Sequence, residues 1–448
     1  MAANPVHYLS RRFTRRSLAA LAVLGVVSLI AYGVEGATPA SRQADSSDLG
    51  VISDVMNRVE QNYVTPVGRG QLVDKALKGM LNGLDPHSDY MNPTEYQRLK
   101  SDMAGKFAGL GMQITEQDGL PQVLTPIDGT PASRAGIDPG DRIVKIDGHP
   151  TGGMPLDDVV ARLRGDAGSK VTLTLERADH PPLEITLTRA VIAVHSVKSL
   201  LEPGGIGYAR VSSFGDNTQD ELKSAIAQLK RQAGGRLSGF ILDLRDDPGG
   251  ELNAAVNVAG DFLDGGTVVT TRARAKDEGH VYSAQNASDL IRNVPMVVLV
   301  DGASASAAEI VAGALQDHHR ALLMGTRTFG KGSVQSIIPL ESGGALRLTT
   351  ALYYTPNGRS IQGTGLEPDV VVALPKDQQV ANALVFRESD FSGAFQNPGA
   401  TKDKSPQNAK SASAAASDFE HPIKPALIAT PQDAQLKAAI QHLQGRKG

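Results

Sequence analysis

Apolar residues recur at helical spacing at Leu49, Ile52, Val55, Val59 and Tyr63, and again at Leu72, Ala76, Met80 and Leu84, the pattern of amphipathic helices. Ser46, Ser47 and Asp48 stand ahead of the first as caps. These predict a helical N-terminal module over residues 45–100, with the turn Leu84-Asp85-Pro86-His87-Ser88 behind the second helix. His87 lies in a Pro-containing turn with no second His nearby, so a structural hydrogen bond is its expected role. Within residues 101–190 the texture changes to short β-like runs divided by Gly. From Ile206 to Val372 apolar runs alternate with helical patterns, which argues an α/β region, residues 191–375. Its predicted strands are Ile206–Val211, Phe240–Leu244, Met296–Val300, Ala321–Gly325, Ser333–Pro339 and Ala345–Tyr354; its clearest helices are Asp220–Ala233 and Ala305–Gln316. Residues 376–448 form a low-complexity tail, with no Leu, Ile, Val or Met between Arg387 and Pro422, a composition of disorder. A short helix is expected behind it, with Thr430 as N-cap, Pro431 at the first helical position, and Leu436, Ala439, Ile440 and Leu443 on one face. That face could dock on the core or on a second subunit.

Residues 1–40 form a targeting element. Arg11, Arg12, Arg15 and Arg16 precede an uncharged stretch from Ser17 to Val34, about 27 Å long as a helix and just able to cross a membrane. A basic flank followed by a polar chain places the bulk of the protein outside the cytoplasm: exported and periplasmic, either soluble or anchored to the inner membrane. Val34-Glu35-Gly36 is a passable substitute for a cleavage site, so removed signal and retained anchor both stay open. The 448 residues carry 45 Lys+Arg against 48 Asp+Glu, a near-neutral balance without a basic field for nucleic acid. The absence of Cys removes disulfides, thiolate metal sites, a Cys nucleophile and a lipoprotein anchor.

Two strand-to-helix turns carry the candidate chemistry. The first, Leu242-Asp243-Leu244-Arg245-Asp246-Asp247-Pro248-Gly249-Gly250, can aim backbone N–H groups at a developing oxyanion. The second is Asp301-Gly302-Ala303-Ser304-Ala305-Ser306-Ala307-Ala308-Glu309. A Ser at the first turn of a helix is ordinarily an N-cap; Ser304 fits that role and leaves Ser306 inside the helix, in need of another explanation. A nucleophilic Ser requires a base. His318 and His319, at the far end of the same helix, are about 18 Å away and out of reach. G-x-S-x-G fails in Gly302-Ala303-Ser304-Ala305-Ser306, where Ser306 stands in place of the last Gly. Lys331 remains, in Gly325-Thr326-Arg327-Thr328-Phe329-Gly330-Lys331-Gly332-Ser333. A phosphate-binding P-loop reading of that string breaks at Gly332 and at the β-branched run behind it, where a helix would have to begin.

The run from Phe107 to Arg189, with Gly109-Leu110-Gly111-Met112-Gln113-Ile114, Gly129-Thr130-Pro131-Ala132, Gly140-Asp141-Arg142-Ile143 and Leu163-Arg164-Gly165, closely resembles a PDZ domain. A Gly-x-Gly loop entering a strand suits capture of a peptide's carboxyl terminus by β-augmentation, with Gly109, Leu110, Gly111, Met112 and Ile114 as the substrate-binding residues. Ser-Ala-Ser-Ala-Ala-Glu, then Gly-Lys-Gly with Lys331 lying 25 residues beyond Ser306, and Gln335 four beyond that, looks like the catalytic set of the carboxyl-terminal processing peptidases, the S41 tail-specific proteases. The likeness runs from Leu49 to Val372 and includes the Asp85-Pro86-His87-Ser88 turn, Asp246-Asp247-Pro248-Gly249-Gly250 and Tyr354-Thr355-Pro356-Asn357-Gly358-Arg359-Ser360-Ile361-Gln362-Gly363.

The resemblance implies an α/β, crotonase/ClpP-like protease core with an inserted PDZ domain and a small helical N-terminal module. It makes Ser306 the nucleophile, Lys331 the general base and Gln335 its orienting residue, with an oxyanion hole from the backbone N–H groups of Ala307 and of Gly249 or Gly250. Arg164 is the candidate contact between PDZ and core, with a solvated surface charge as the bland alternative. Ala308 stands where the family frequently has Ser, and Asp247 where it often has Asn. No metal or cofactor is implied; the substrate is a protein or peptide C-terminus, and there is room for an adaptor or lipoprotein partner and for homo-oligomers. A neutral Lys at pH 7 has to overcome about 4 kcal/mol, which predicts an apolar, enclosed site away from carboxylates. On a strand, Lys331 and Gln335 would face one side. The expected activity is that of a serine endopeptidase that binds the apolar C-terminal tail of protein substrates through the PDZ domain and hydrolyses peptide bonds with a dyad of Ser306 and Lys331. A non-catalytic PDZ-type peptide binder on the same fold, and acyl-CoA chemistry on a crotonase-like core, are the alternatives from other classes.

Overall fold

A computed structural model describes residues 46–445, apart from 104–105, 128, 178–179, 194, 276–278, 286–288, 380–386 and 399–422. The arginine-flanked N-terminal stretch and most of the low-complexity segment lie outside the described residues. Among the described residues no helix is long and apolar enough to cross a membrane.

The protein divides into two units at Val73. In the first, helix α1 (Ser46–Asn62) already runs from Ser46, so the proposed caps belong to its first turn. It is helical as the spacing predicts, and its Leu49, Ile52, Val55 and Tyr63 are exposed. Arg69, at the start of α2 (Arg69–Asn82), bonds back to Asn57 and Glu60.

The second unit contains two sheet-based bodies, one after the other in sequence. Strand β1 (Asp89–Met91) and helix α3 (Pro93–Met103) lead to the first. It comprises β2 (Lys106–Gly109), β3 (Met112–Gln117), β4 (Leu120–Pro126), α4 (Pro131–Arg134), β5 (Arg142–Ile146), β6 (His149–Pro150), α5 (Leu156–Leu163), β7 (Lys170–Glu176), β8 (Leu183–Thr188) and β9 (Ala190–Ala193). The sheet order is β3-β4-β5-β7-β8, with β6 on β5 and β2 paired to β9. On β7 the residues Val171, Leu173 and Leu175 are buried and their neighbours are not, the alternation of a half-covered strand. They pack with Ile143, Ile146, Val159 and Leu163. Among the described residues β3 pairs with β4 alone, so its outer side is an edge of the sheet.

The larger body is a three-layer α/β core. Its main sheet runs β10 (Val197–Glu202), β11 (Ile206–Val211), β12 (Gly239–Asp243), β15 (Met296–Val300), β16 (Leu322–Gly325), β19 (Val370–Val371), all parallel from β11 onward. Two hairpin-rich additions, β13 (Thr267–Ala273) with β14 (Val281–Ser283) and β17 (Ser333–Pro339) with β18 (Ala345–Tyr354), form a second sheet with β1. Period-two alternation sorts the main sheet's side chains. Leu242, Val298 and Val300 pack against α6 (Thr218–Gln232), α7 (Leu252–Gly260) and α8 (Ala307–Asp317). Ile241, Val297 and Leu299 face the other way, onto α9 (Ala434–Gly445) through Leu436, Ala439 and Leu443. Burial of each large apolar residue there stabilises the fold by about 1.5–3 kcal/mol.

The terminal helix therefore docks on this protein's own core. Its cap is also corrected: Asp433, not Thr430, accepts the Leu436 N–H at 3.0 Å and precedes the first helical residue. The same Asp433 and Gln435 bind the fully buried Arg245, whose guanidinium also chelates Asp243. Both carboxylates match the guanidinium fork, so α9 fixes the end of β12 from which the Gly249-Gly250 loop departs.

Candidate active site

At the carboxyl ends of β12 and β15, two turns meet. Helix α8 begins at Ala307, so the expectation is reversed: Ser306, not Ser304, occupies the position ahead of the helix. Ser304 is buried, its Oγ donating to the Leu244 carbonyl at 2.7 Å and accepting from the Asp301 N–H at 3.0 Å. It locks the turn to the neighbouring strand. Ser306 has φ +54°, a region a non-Gly residue enters at a cost of about 1–3 kcal/mol. Its side chain is half-buried and lines a cavity of about 750 Å³.

Glu309 holds that turn, and the pattern Ser-x-x-Glu carries the signal. Its buried carboxylate accepts the Ser306 N–H at 2.9 Å through Oε2. The same Oε2 accepts the Lys331 N–H at 2.9 Å, while Oε1 takes the Gly330 N–H at 2.8 Å and the Thr328 hydroxyl at 2.5 Å. Four donors converge on one side chain. Burial pushes Glu309 up to about 7, against those bonds. Tyr353, from the end of β18, closes the arrangement: its phenol donates to the carbonyls of Lys331 and Ser306. Neither Glu309 nor Tyr353 is among the site residues expected from the sequence.

Gly330 and Gly332 let the lysine loop approach its supports. A Cβ on Gly330 would lie 2.8 Å from the Gly365 nitrogen, and one on Gly332 would lie 2.8 Å from the Gln362 nitrogen. Gln362 accepts the Gly332 N–H at 2.8 Å and donates to buried Glu388 at 2.9 Å. His87 also binds Glu388, at 2.8 Å, so its role as a structural hydrogen-bonding residue stands. Asp85 collects His87 N–H, Ser88 N–H, Ser88 Oγ and Thr349 Oγ1, tying the N-terminal turn to β18.

Lys331 is held below its ordinary range, burial being the largest cause, aided by Arg347 and opposed by Glu388, Glu309 and Asp85. The expected site away from carboxylates is thus corrected: desolvation prevails although three carboxylates act against it. Gln335 lines the same cavity. Lys331 precedes β17, and a bulge between Val334 and Gln335 breaks the pleat, so simple strand parity does not relate the two. The Gln335 amide donates to Ser333 Oγ at 3.0 Å and Thr349 Oγ1 at 3.2 Å, which turns its Nε2 toward those hydroxyls.

The cavity is lined by Ser306, Lys331, Gln335, Gly249, Gly250 and, from the smaller body, Arg164 at the end of α5. Gly249 packs so tightly on the Ser306 turn that a Cβ would come within 2.8 Å of Ala307 N and 2.9 Å of Ser306 Cβ. Its N–H, however, donates to Asp247 Oδ1 at 2.8 Å, a correction to its expected role as an oxyanion donor. Ala307, as the first residue of α8, presents its N–H at a helix N-terminus. On the smaller body, Gly109, Leu110 and Gly111 form the entry to β3, where Met112 and Ile114 are half-buried. Gly111 has φ +77°, and a Cβ would lie 2.3 Å from Thr130 Cβ; Thr130 Oγ1 donates to its carbonyl at 2.9 Å.

The geometry defines a Ser/Lys cleft on an α/β core, with a smaller sheet body that contributes Arg164 to its lining. The family model for peptidase family S41 matches residues 205–372, that for PDZ domains residues 122–177, and that for the activating protease CtpB N-terminal domain residues 32–94. The sequence is 44% identical over 359 residues to the carboxy-terminal-processing protease of Bartonella bacilliformis, covering 80% of this protein and 82% of that one. Among solved structures, the photosystem II D1 C-terminal processing protease is 33% identical, with TM-score 0.44, covering 73% of this protein and 95% of that one. The PDZ domain of the Vibrio cholerae carboxy-terminal protease, in complex with a peptide, is 29% identical, with TM-score 0.19, covering 19% of this protein and 97% of that domain. The protein belongs to the S41 peptidase family, among the carboxy-terminal-processing proteases.

Proposed function

We propose that this protein is an exported serine endopeptidase that binds the apolar C-terminal tail of protein substrates on its PDZ domain and hydrolyses them with Ser306 and Lys331. The observation that carries the reading is Glu309 Oε2, which accepts the backbone N–H groups of both Ser306 and Lys331. One buried oxygen sets the nucleophile and the base in register. Lowered by burial, the neutral Lys331 amine takes the Ser306 hydroxyl proton as Oγ attacks the scissile carbonyl. The oxyanion receives hydrogen bonds from the N–H groups of Ala307 and Gly250. Lys331 returns the proton to the leaving amine, leaving an acyl ester on Ser306. It then deprotonates water, whose attack releases the acid and restores the hydroxyl. Gln335 presents its carbonyl oxygen to the amine, which brings no charge to the site.

The tail enters as an added strand on the outer edge of β3, its carboxylate at Gly109–Gly111 and its apolar side chains over Met112 and Ile114. Arg164 connects tail binding to the cavity. Export rests on the basic flank and the Ser17–Val34 stretch; an adaptor or lipoprotein and self-association are compatible partners. The test is cleavage of one unfolded protein carrying either an apolar or a charged C-terminal tail. Faster cleavage of the apolar-tailed form is expected, through KM; equal rates would remove the tail-reading role.

Substituting Glu309→Gln is expected to lower kcat by about 100-fold, the scale of a roughly 1 Å misplacement, with KM unchanged because Glu309 has no exposed surface. The amide replaces one acceptor oxygen with a donor that faces N–H groups. Steady-state kinetics at constant pH measure the split.

A further inference from the structure

Asp247 lies in the loop between β12 and α7, with no exposed surface. It makes two bonds that join the oxyanion loop to the nucleophile turn: its Oδ1 accepts the Gly249 N–H at 2.8 Å and its backbone carbonyl accepts the Ala305 N–H at 2.9 Å. Its other oxygen, Oδ2, is buried and has no hydrogen-bond partner among the described residues. Across the turn, Asp301 repeats the arrangement. Its Oδ1 accepts the N–H groups of Asp246, Ala303 and Ser304, and its Oδ2 is buried without a partner among the described residues.

A buried carboxylate with one oxygen unbonded is among the costliest groups a protein can hold, whereas the neutral acid is far cheaper. The acid form still accepts at its carbonyl oxygen, so the Gly249 bond survives protonation. We propose that Asp247 is a positioning residue that works as its neutral carboxylic acid, holding Gly249 against the Ser306 turn, and that its ionisation as pH rises switches the site off. The inference rests on the Ser306–Lys331 reading above. An anion at Asp247 would oppose the negative charge that develops on the nearby oxyanion.

The charged groups around Asp247 are Arg210 from β11, Asp246 on its own loop and Asp301 from the turn after β15. Arg210 favours the anion; both acids disfavour it, and burial, the largest influence, pushes Asp247 well above the usual carboxylate range. Arg210 reaches Asp246 Oδ2 at 3.5 Å and the Arg245 carbonyl at 3.4 Å through Nη2, while its buried Nε has no partner among the described residues. The rising limb of the rate profile belongs to Lys331 and Glu309, the falling limb to Asp247.

The test compares kcat of the full-length protein and of Asp247→Asn, an isosteric residue that is always neutral, between about pH 6 and about pH 10 on the apolar-tailed protein. Wild type is expected to lose about tenfold per pH unit beyond its alkaline midpoint. Asp247→Asn should match wild type at neutral pH and hold within about threefold across the alkaline range, with KM equal in both. Circular dichroism at each pH confines the comparison to folded protein. Coincident profiles, or an Asp247→Asn protein that is folded and inactive at neutral pH, would overturn the proposal while leaving wild-type cleavage, and so the dyad reading, intact. Should the variant not fold, infrared spectra of wild type and of Asp301→Asn, each with isotopically labelled Asp, decide: a protonated-acid band at neutral pH that persists in Asp301→Asn is expected, and its absence there refutes the proposal.

Discussion

Ser306→Ala is expected to abolish cleavage of the apolar-tailed substrate, with kcat down about 10³-fold to 10⁶-fold and tail binding unchanged. The Oγ is the atom that forms the acyl ester, and the neighbouring Ser304 hydroxyl cannot replace it, since Ser304 is buried and bonded to Leu244 and Asp301. The fold should tolerate the change. Ser306 holds the turn with its backbone N–H, on Glu309, and that bond survives loss of the hydroxyl. Ala also shares the strain of φ +54°, so stability should stay within about 1 kcal/mol. Peptide release followed by mass spectrometry reads the loss of turnover, and a thermal melt checks the fold.

Lys331→Met should reduce kcat by about 10²-fold to 10⁴-fold, the range of a lost general base. Met has the length of the lysine stem, so packing within the half-buried site is largely kept. The loop itself is positioned through backbone groups, the N–H groups of Gly330, Lys331 and Gly332 on Glu309 and Gln362, none of which the substitution removes. The pH dependence carries the sign. A lysine held below its ordinary value by burial becomes neutral, and active, as pH rises, so wild-type kcat should climb with pH on the acid side; residual activity in the variant should not follow that limb. Glu309, raised to about 7, adds to the same limb. Below that value it binds a proton and gives up an acceptor site for one of its four donors. Because its folded value lies above the ordinary 4.5, its stabilising contribution is complete below that ordinary value and is lost as pH rises through about 7.

Much of the core was legible because periodicity and burial agree there. Ile206–Val211, Met296–Val300, Ser333–Pro339 and Ala345–Tyr354 form strands with the predicted ends. The assignment of Ser304 as cap failed because two serines two apart satisfy the same local rule, and only the contact with Leu244, sixty residues away in sequence, decides between them. Strand parity failed at Gln335 through a bulge that no local residue announces. The pairing of Arg245 with Asp433 joins residues 188 apart in sequence, and Tyr353 reaches its partners only through the fold. Glu309 is different in kind: Ser-x-x-Glu is readable as a capping box once Ser306 is taken as the residue ahead of the helix. The exposed apolar face of α1 shows the converse, a helical period with no packing behind it among the described residues.

At the centre of the mechanism stands a Ser306 made nucleophilic by Lys331. Treatment of the folded protein with a fluorophosphonate, followed by intact-mass and peptide mapping, tests this most directly. One phosphonyl adduct is expected, on Ser306, formed faster as pH rises through neutrality and at least about 100-fold more slowly in Lys331→Met. Labelling at another residue, or labelling of Ser306 at the same rate without the lysine, would contradict it.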